Sequence, residues 1–309
     1  MSHAALPSGL AARAASTRAR GIAFAVGSAA LFACNTNLAR LSFESGADAA
    51  TLNAVRFSLS VLVLLLLSAF GPARVRLSPR QRLAAAGVGV LFFLCSFGYM
   101  GAIQFIPVSI AALLLYSYPI LVALIARVSE GEPLGGARIA ALVLGFVGIA
   151  LALGVAPADW PDWRGLALAA LAAGSMSLFV IGSSRLMRAA DRGEVNRHLM
   201  GTAAVLFLLV LAAGGPTRWP AGEAGWLAFA GAVVTFTLAQ IAVIAAIGRA
   251  GAVLAASLMN LEPLLTIALA VLALGESLSW PQLLGALLVL SAIVLIGRGG
   301  RTPVALAEP

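Results

Sequence analysis

Ten apolar stretches follow one another along this chain, joined by short polar connections. They run at about Gly21–Leu41, Asp48–Phe70, Leu83–Phe105, Pro107–Arg127, Gly136–Gly154, Arg164–Met187, Val195–Gly214, Glu223–Ile247, Gly251–Leu274 and Ser279–Gly297. In lipid a backbone has to satisfy its own hydrogen bonds, so each stretch reads as a helix. Alternating strands of a membrane barrel are absent. The expected fold is an all-α integral membrane protein with ten transmembrane helices. Composition supports it: 61% of the 309 residues are hydrophobic and only 10% are charged. A soluble globule carries roughly 25% charged residues, so this chain cannot cover itself with a water-compatible surface. That excludes a soluble enzyme, a disordered protein and a nucleic-acid binder. The formal charge of +8 is scattered through short loops rather than gathered in one basic patch. The expected partner at this point is the lipid bilayer. The two cysteines, Cys34 and Cys95, lie in apolar stretches and read as small buried hydrophobes. Neither has a metal-type spacing, and no cofactor is expected.

The arginines set an orientation, because cytoplasmic loops carry an excess of Lys and Arg. With the amino terminus inside, sixteen arginines fall on the inner side, from Arg13, Arg18 and Arg20 to Arg298 and Arg301. Only Arg40, Arg164 and Arg218 fall outside, and Arg56 lies within a span. All five tryptophans, Trp160, Trp163, Trp219, Trp226 and Trp280, come at outer helix ends, where amphipathic indoles settle. Both termini are therefore expected in the cytoplasm. Leu31-Phe32-Ala33-Cys34 has the look of a lipoprotein cleavage box. The apolar run continues past Cys34, so this helix is expected to be retained.

The chain repeats itself at an offset of 144 residues. Gly21 maps to Gly165, Gly71-Pro72-x-Arg74 to Gly215-Pro216-x-Arg218, Pro119 to Pro263, and Gly131-Glu132-x-Leu134 to Gly275-Glu276-x-Leu278. Residues 20–155 and 164–298 form the two expected repeats, with cytoplasmic tails at 1–19 and 299–309. Five helices is an odd number, so the second repeat enters the membrane from the opposite side. Two such halves are related by a pseudo-two-fold axis in the membrane plane, the inverted-repeat plan of many secondary transporters. The competing reading is a duplication that merely built a stable bundle.

With these landmarks the sequence resembles the drug/metabolite transporter superfamily, EamA-type branch, over about residues 20–298. Asn35 in Phe32-Ala33-Cys34-Asn35 stands where the family often has Trp-Gly-Ser-Asn. Arg56-Phe57 matches the family's Arg-Phe pair, and the Gly-Glu pairs and prolines match the ends and middles of helices 4 and 9. The second repeat departs from the pattern with Met200 in place of the arginine. The resemblance implies ten helices, a central cavity between the halves and transport of small metabolites, often outward. Within the family the chain is most similar to bacterial inner-membrane exporters of amino acids, including aromatic ones.

Few polar residues lie inside the spans, which makes them informative. Arg56 is expected to serve architecture, bonding to helix carbonyls or snorkelling outward. Glu262, beside Pro263, is the one acid placed well inside a span. It reads as a proton carrier, an amine ligand or a partner for Arg56. Proline removes an amide hydrogen and disrupts the helix, so Pro119 and Pro263 are either hinges or static bends. Tyr99, Tyr116 and Tyr118 are the only tyrosines and suggest an aromatic wall for an apolar or aromatic solute. Ala112, Ser109, Tyr116 and Pro119 fall on one helix face. Asn35, Asn37, Ser175, Ser177, Gln240, Ser257 and Asn260 are further cavity candidates; helix–helix hydrogen bonding explains each equally well. His3 and His198 are poor catalytic candidates. Paired intramembrane aspartates, metal clusters and a GxxxxGK[ST] loop are all missing from the sequence. The expected function is secondary export of small organic solutes, amino acids with aromatic or bulky side chains foremost, by a monomer or weak homodimer. The alternatives are export of other metabolites or cationic drugs, an intramembrane enzyme, and a scaffold.

Overall fold

The computed structural model describes residues 8–70, 75–102, 105–106, 108–130, 135–154, 162–215, 217–274 and 279–299. Trp160, Pro107, Pro216, Gly71-Pro72-x-Arg74, Gly131-Glu132-x-Leu134, Gly275-Glu276-x-Leu278, His3 and Arg301 lie outside them, as does the side chain of Ser109. Among the described residues there are twelve helices: α1 (Ser8–Glu44), α2 (Ala49–Phe70), α3 (Pro79–Ala102), α4 (Val108–Leu115), α5 (Tyr118–Glu130), α6 (Gly136–Ala152), α7 (Trp163–Ala189), α8 (Arg192–Ala212), α9 (Gly222–Ala250), α10 (Ala252–Met259), α11 (Leu261–Leu274) and α12 (Trp280–Gly299). Seven helical stretches are long and apolar enough to cross a membrane, with α4 and α5 counted together as one. Ile139–Ala152, Ala252–Thr266 and Trp280–Ala292 are shorter apolar helices. The first helix starts at Ser8, ahead of the apolar run, because Leu10 to Ala15 are strong helix formers.

The fourth apolar stretch of each repeat is two helices rather than one. α4 ends at Leu115 and α5 begins at Tyr118; α10 ends at Met259 and α11 begins at Leu261. Pro119 and Pro263 explain the breaks. Each stands in the first turn of the downstream half, where its missing amide hydrogen costs nothing. A continuous helix would instead need that hydrogen and would clash with the carbonyl four residues back. Upstream, Ser117 closes the turn by donating from its amide and hydroxyl to the Leu114 carbonyl, at 3.2 and 2.6 Å.

The two repeats are interleaved. α1 packs on α9 as α7 packs on α3, α1 meets α10 and α11 as α7 meets α4 and α5, and α2 meets α9 as α8 meets α3. α2 pairs with α8, and α6 with α12. Single residues obey the same exchange. Gly21 abuts Ala250 while Gly165, 144 positions on, abuts Ile106. Ser45 abuts Gly225, and the Ala189 carbonyl accepts from Gln81 Nε2 at 3.1 Å. Gly21 of α1 thus lies against the end of α9, and the end of α1 against the start of α9, so the two are antiparallel. Between α6 and α12, Gly148 and Gly285 each bring the neighbouring backbone closer than a Cβ would allow, the small-residue contact that membrane helices favour.

Side-chain caps fix several helix starts. Asp162 accepts from the Arg164 amide at 2.9 Å, and the guanidinium beside it holds its carboxyl below the usual carboxylate range. Asp191 accepts from the Glu194 amide at 3.0 Å. Asp48 accepts from the amide and hydroxyl of Thr51, both at 2.8 Å, and also from the Arg218 amide of the other repeat. The Asp48 amide donates to the Arg218 carbonyl at 3.2 Å, and the Ala221 amide to the Ser45 carbonyl at 2.7 Å. The α1–α2 turn is thereby clamped to the α8–α9 connection.

Candidate functional site

The two helix breaks meet at the centre of the protein. Tyr118, at the start of α5, donates its hydroxyl to the Ala256 carbonyl of α10 at 3.2 Å. Tyr116, in the first break, lies within electrostatic reach of Glu262, in the first turn of α11. Helix N-termini carry partial positive charge, which suits an acid there. The backbone carbonyl of Tyr118 accepts from Ser177 Oγ of α7 at 3.3 Å.

Arg56 enters the same region from α2. Its guanidinium carbon sits 4.2 Å from the ring centre of Phe236 and 5.9 Å from that of Phe57. One nitrogen, Nη1, donates to Asn35 Oδ1 at 3.4 Å, and Asn35 Nδ2 is anchored on the Ala232 carbonyl at 2.7 Å. Arg56 Nε is buried without a partner. The side chain therefore neither bonds to helix carbonyls nor pairs with Glu262 in an ion pair, though the two charges feel one another and Cys95. An arginine at mid-membrane costs about 2.5–3.5 kcal/mol on insertion scales. A desolvated cation–π contact returns ~2 kcal/mol. The two come near to balance while most of the guanidinium donors stay unused.

The rings around Arg56 form a cluster of buried phenylalanines that sequence reasoning passed over. Phe57 contacts Phe92, Phe207 and Phe236 with centroids 5.0–5.1 Å apart, and Phe92 stacks on Phe179 at 4.6 Å. Phe92 and Phe236 lie 144 positions apart in the chain and stack at 6.5 Å with an interplanar angle of 11°. They are thus equivalent positions of the two repeats in contact with one another. That spacing was readable in the sequence, but it lies outside the stretch where the two repeats match best.

The other candidates divide into two groups. Arg56, Tyr99, Tyr116, Asn260 and Glu262 keep part of their surface accessible. Electrostatic coupling links Tyr99, Tyr116 and Arg56 to Glu262. Asn260, the cap residue at the second break, has its Oδ1 unpartnered, as does fully buried Gln240 at Nε2. The second group is hydrogen-bonded or buried within the helices. Ser257 Oγ donates to its own helix at Val253, and Ser177 Oγ to Ala173. Asn37 Nδ2 reaches the Ala33 and Thr266 carbonyls at 3.0 and 3.3 Å. Ser175 is buried in α7. Pro119 and Pro263 are both buried at the breaks.

Known proteins provide an independent comparison. The sequence profile of the EamA-like transporter family matches this chain twice, at residues 19–154 and 163–298. No curated protein matches it. A solved structure titled only as the crystal structure of a protein superposes with a TM-score of 0.77 at 23% identity, over 93% of this chain and 98% of its own. That likeness speaks to the fold.

Proposed function

Since the chain belongs to the EamA-like transporter family, a family of small-solute transporters rather than enzymes embedded in the bilayer, we propose that it exports amino acids. Aromatic and bulky apolar ones are the preferred cargo, moved by alternating access between two inverted five-span repeats. Residues 20–155 and 164–298 are the moving halves, all ten apolar stretches cross a bacterial inner membrane, and both termini face the cytoplasm. One observation supports the reading: the two broken helices approach one another beside the tyrosines and Glu262. Halves that pack by exchange can trade conformations, closing one side as the other opens. The antiparallel course of α1 and α9 supports the inversion.

Tyr99, Tyr116 and Tyr118 flank the solute, each aromatic contact contributing on the order of 1 kcal/mol. Asn35, Gln240 and Asn260 offer neutral hydrogen-bonding groups beside it, with Ser175 and Ser257 in the supporting wall. Export of cationic drugs is a second reading: Glu262 among the tyrosines favours it, and Arg56 opposes it. The test is uptake of labelled phenylalanine into proteoliposomes, with and without a pH gradient, against a panel of amino acids and cationic drugs. Flux above that of empty vesicles is expected for phenylalanine. Flux of the drugs alone would replace this reading by the second.

A further inference from the structure

We propose that Arg56 binds the carboxylate of the transported solute, while Glu262 with Tyr116 receives its ammonium group. The inference rests on the amino-acid reading above and assigns the two charged ends of the cargo.

Four observations converge on it. Arg56 is held in place by Phe236 and Asn35, yet its Nε has no partner and its single side-chain bond is long. A guanidinium presents a fork that matches a carboxylate bidentately, and among the described residues no acid forms an ion pair with this fork. Glu262, in the first turn of α11, lies within electrostatic influence of both Arg56 and Tyr116, and forms no ion pair with the arginine. Opposite charges attract strongly where the dielectric is low. Two held apart, both with accessible surface, suit a solute that carries both charges. Finally, the fold itself needs no charge at either place. At the position 144 residues beyond Arg56, α8 carries Met200, fully buried. At the position 144 residues before Glu262, α5 carries Tyr118, which donates to the Ala256 carbonyl. The same helices are built in both repeats, and only one copy of each is charged.

The test is competition against labelled phenylalanine on purified full-length protein, with phenethylamine (no carboxylate) and 3-phenylpropionate (no ammonium) as probes. In the wild type, unlabelled phenylalanine is expected to outcompete phenethylamine by about ten- to a hundredfold, the scale of a charge-assisted hydrogen bond. Arg56→Met, which copies the second repeat, brings that ratio close to one. Glu262→Gln leaves it in place and instead erases the advantage of phenylalanine over 3-phenylpropionate. If Arg56→Met does not purify as a folded species, Arg56→Lys decides, because it keeps the charge without the fork. A reduced ratio in that variant supports the assignment, and an unchanged ratio overturns it. Wild type that binds phenylalanine while the Arg56 variants keep the full ratio defeats this inference alone. Wild type that binds none of the three compounds defeats the amino-acid reading, and this inference falls with it.

Discussion

The first and second repeats have the same order of helices and break at matching places, yet they line the centre with different chemistry. The first contributes Arg56, Asn35, Tyr99, Tyr116 and Tyr118. At the positions 144 residues on stand Met200, Phe179, Val243, Asn260 and Glu262. What the repeats share is backbone: the prolines, the glycine contacts and the exchange of partners between α1–α9 and α3–α7. Shared backbone is what an exchange of conformations requires. Recognition of a solute that has a head, a tail and two charges requires the opposite, an unsymmetrical lining. The repeated backbone supplies the first, and on the proposed reading the differences at these positions supply the second.

The largest effect is expected at the equivalent pair Phe92 and Phe236. Phe92→Ala and Phe236→Ala each empty a buried ring and lower stability by about 3–5 kcal/mol, read as melting in detergent. Phe236→Ala also removes the seat of Arg56, so among surviving folded protein it weakens phenylalanine binding several-fold more than Phe92→Ala. Equal binding losses would mean that the two halves are alike where the reading needs them to differ.

A smaller effect is expected at the breaks. Pro119→Ala and Pro263→Ala restore an amide hydrogen and permit the two half-helices to join. Pro119→Ala slows flux severalfold with little change in equilibrium binding, while Pro263→Ala, adjacent to Glu262, lowers both. Unchanged flux in both variants would leave the prolines as static bends.

The smallest effect separates two helix caps. Asp191→Ala removes only a cap and costs about 1 kcal/mol. Asp48→Ala removes a cap together with the bond to Arg218 across the repeats, and loses ~1 kcal/mol more. A matched pair of melting curves measures the difference. Identical shifts would show that the clamp contributes nothing to stability.

Much of this arrangement was legible beforehand, for identifiable reasons. Apolar length marks a span, because lipid cannot hydrogen-bond a backbone. Arg56 and Glu262 stand out because charge is costly in that setting. The 144-residue offset exposed the repeat, and Pro119 and Pro263 marked the breaks. The stretches containing them read as single helices, however, because both halves are apolar and only the turn at residues 116–117 and Asn260 separates them. Arg56 was expected to bond to helix carbonyls or to snorkel outward; its placement over Phe236 depends on a ring 180 positions away along the chain.

The amino-acid sequence alone determined that this chain is a helical membrane protein made of two related halves, since solvation and repetition are both written locally. Which helix touches which was decided by the tertiary structure. In a chain whose core-facing and lipid-facing sides are equally apolar, hydrophobicity does not choose partners; close approach at small residues and a few polar contacts do. That choice placed α9 on α1, stacked Phe92 on Phe236, and set one arginine and one glutamate near each other without letting them pair.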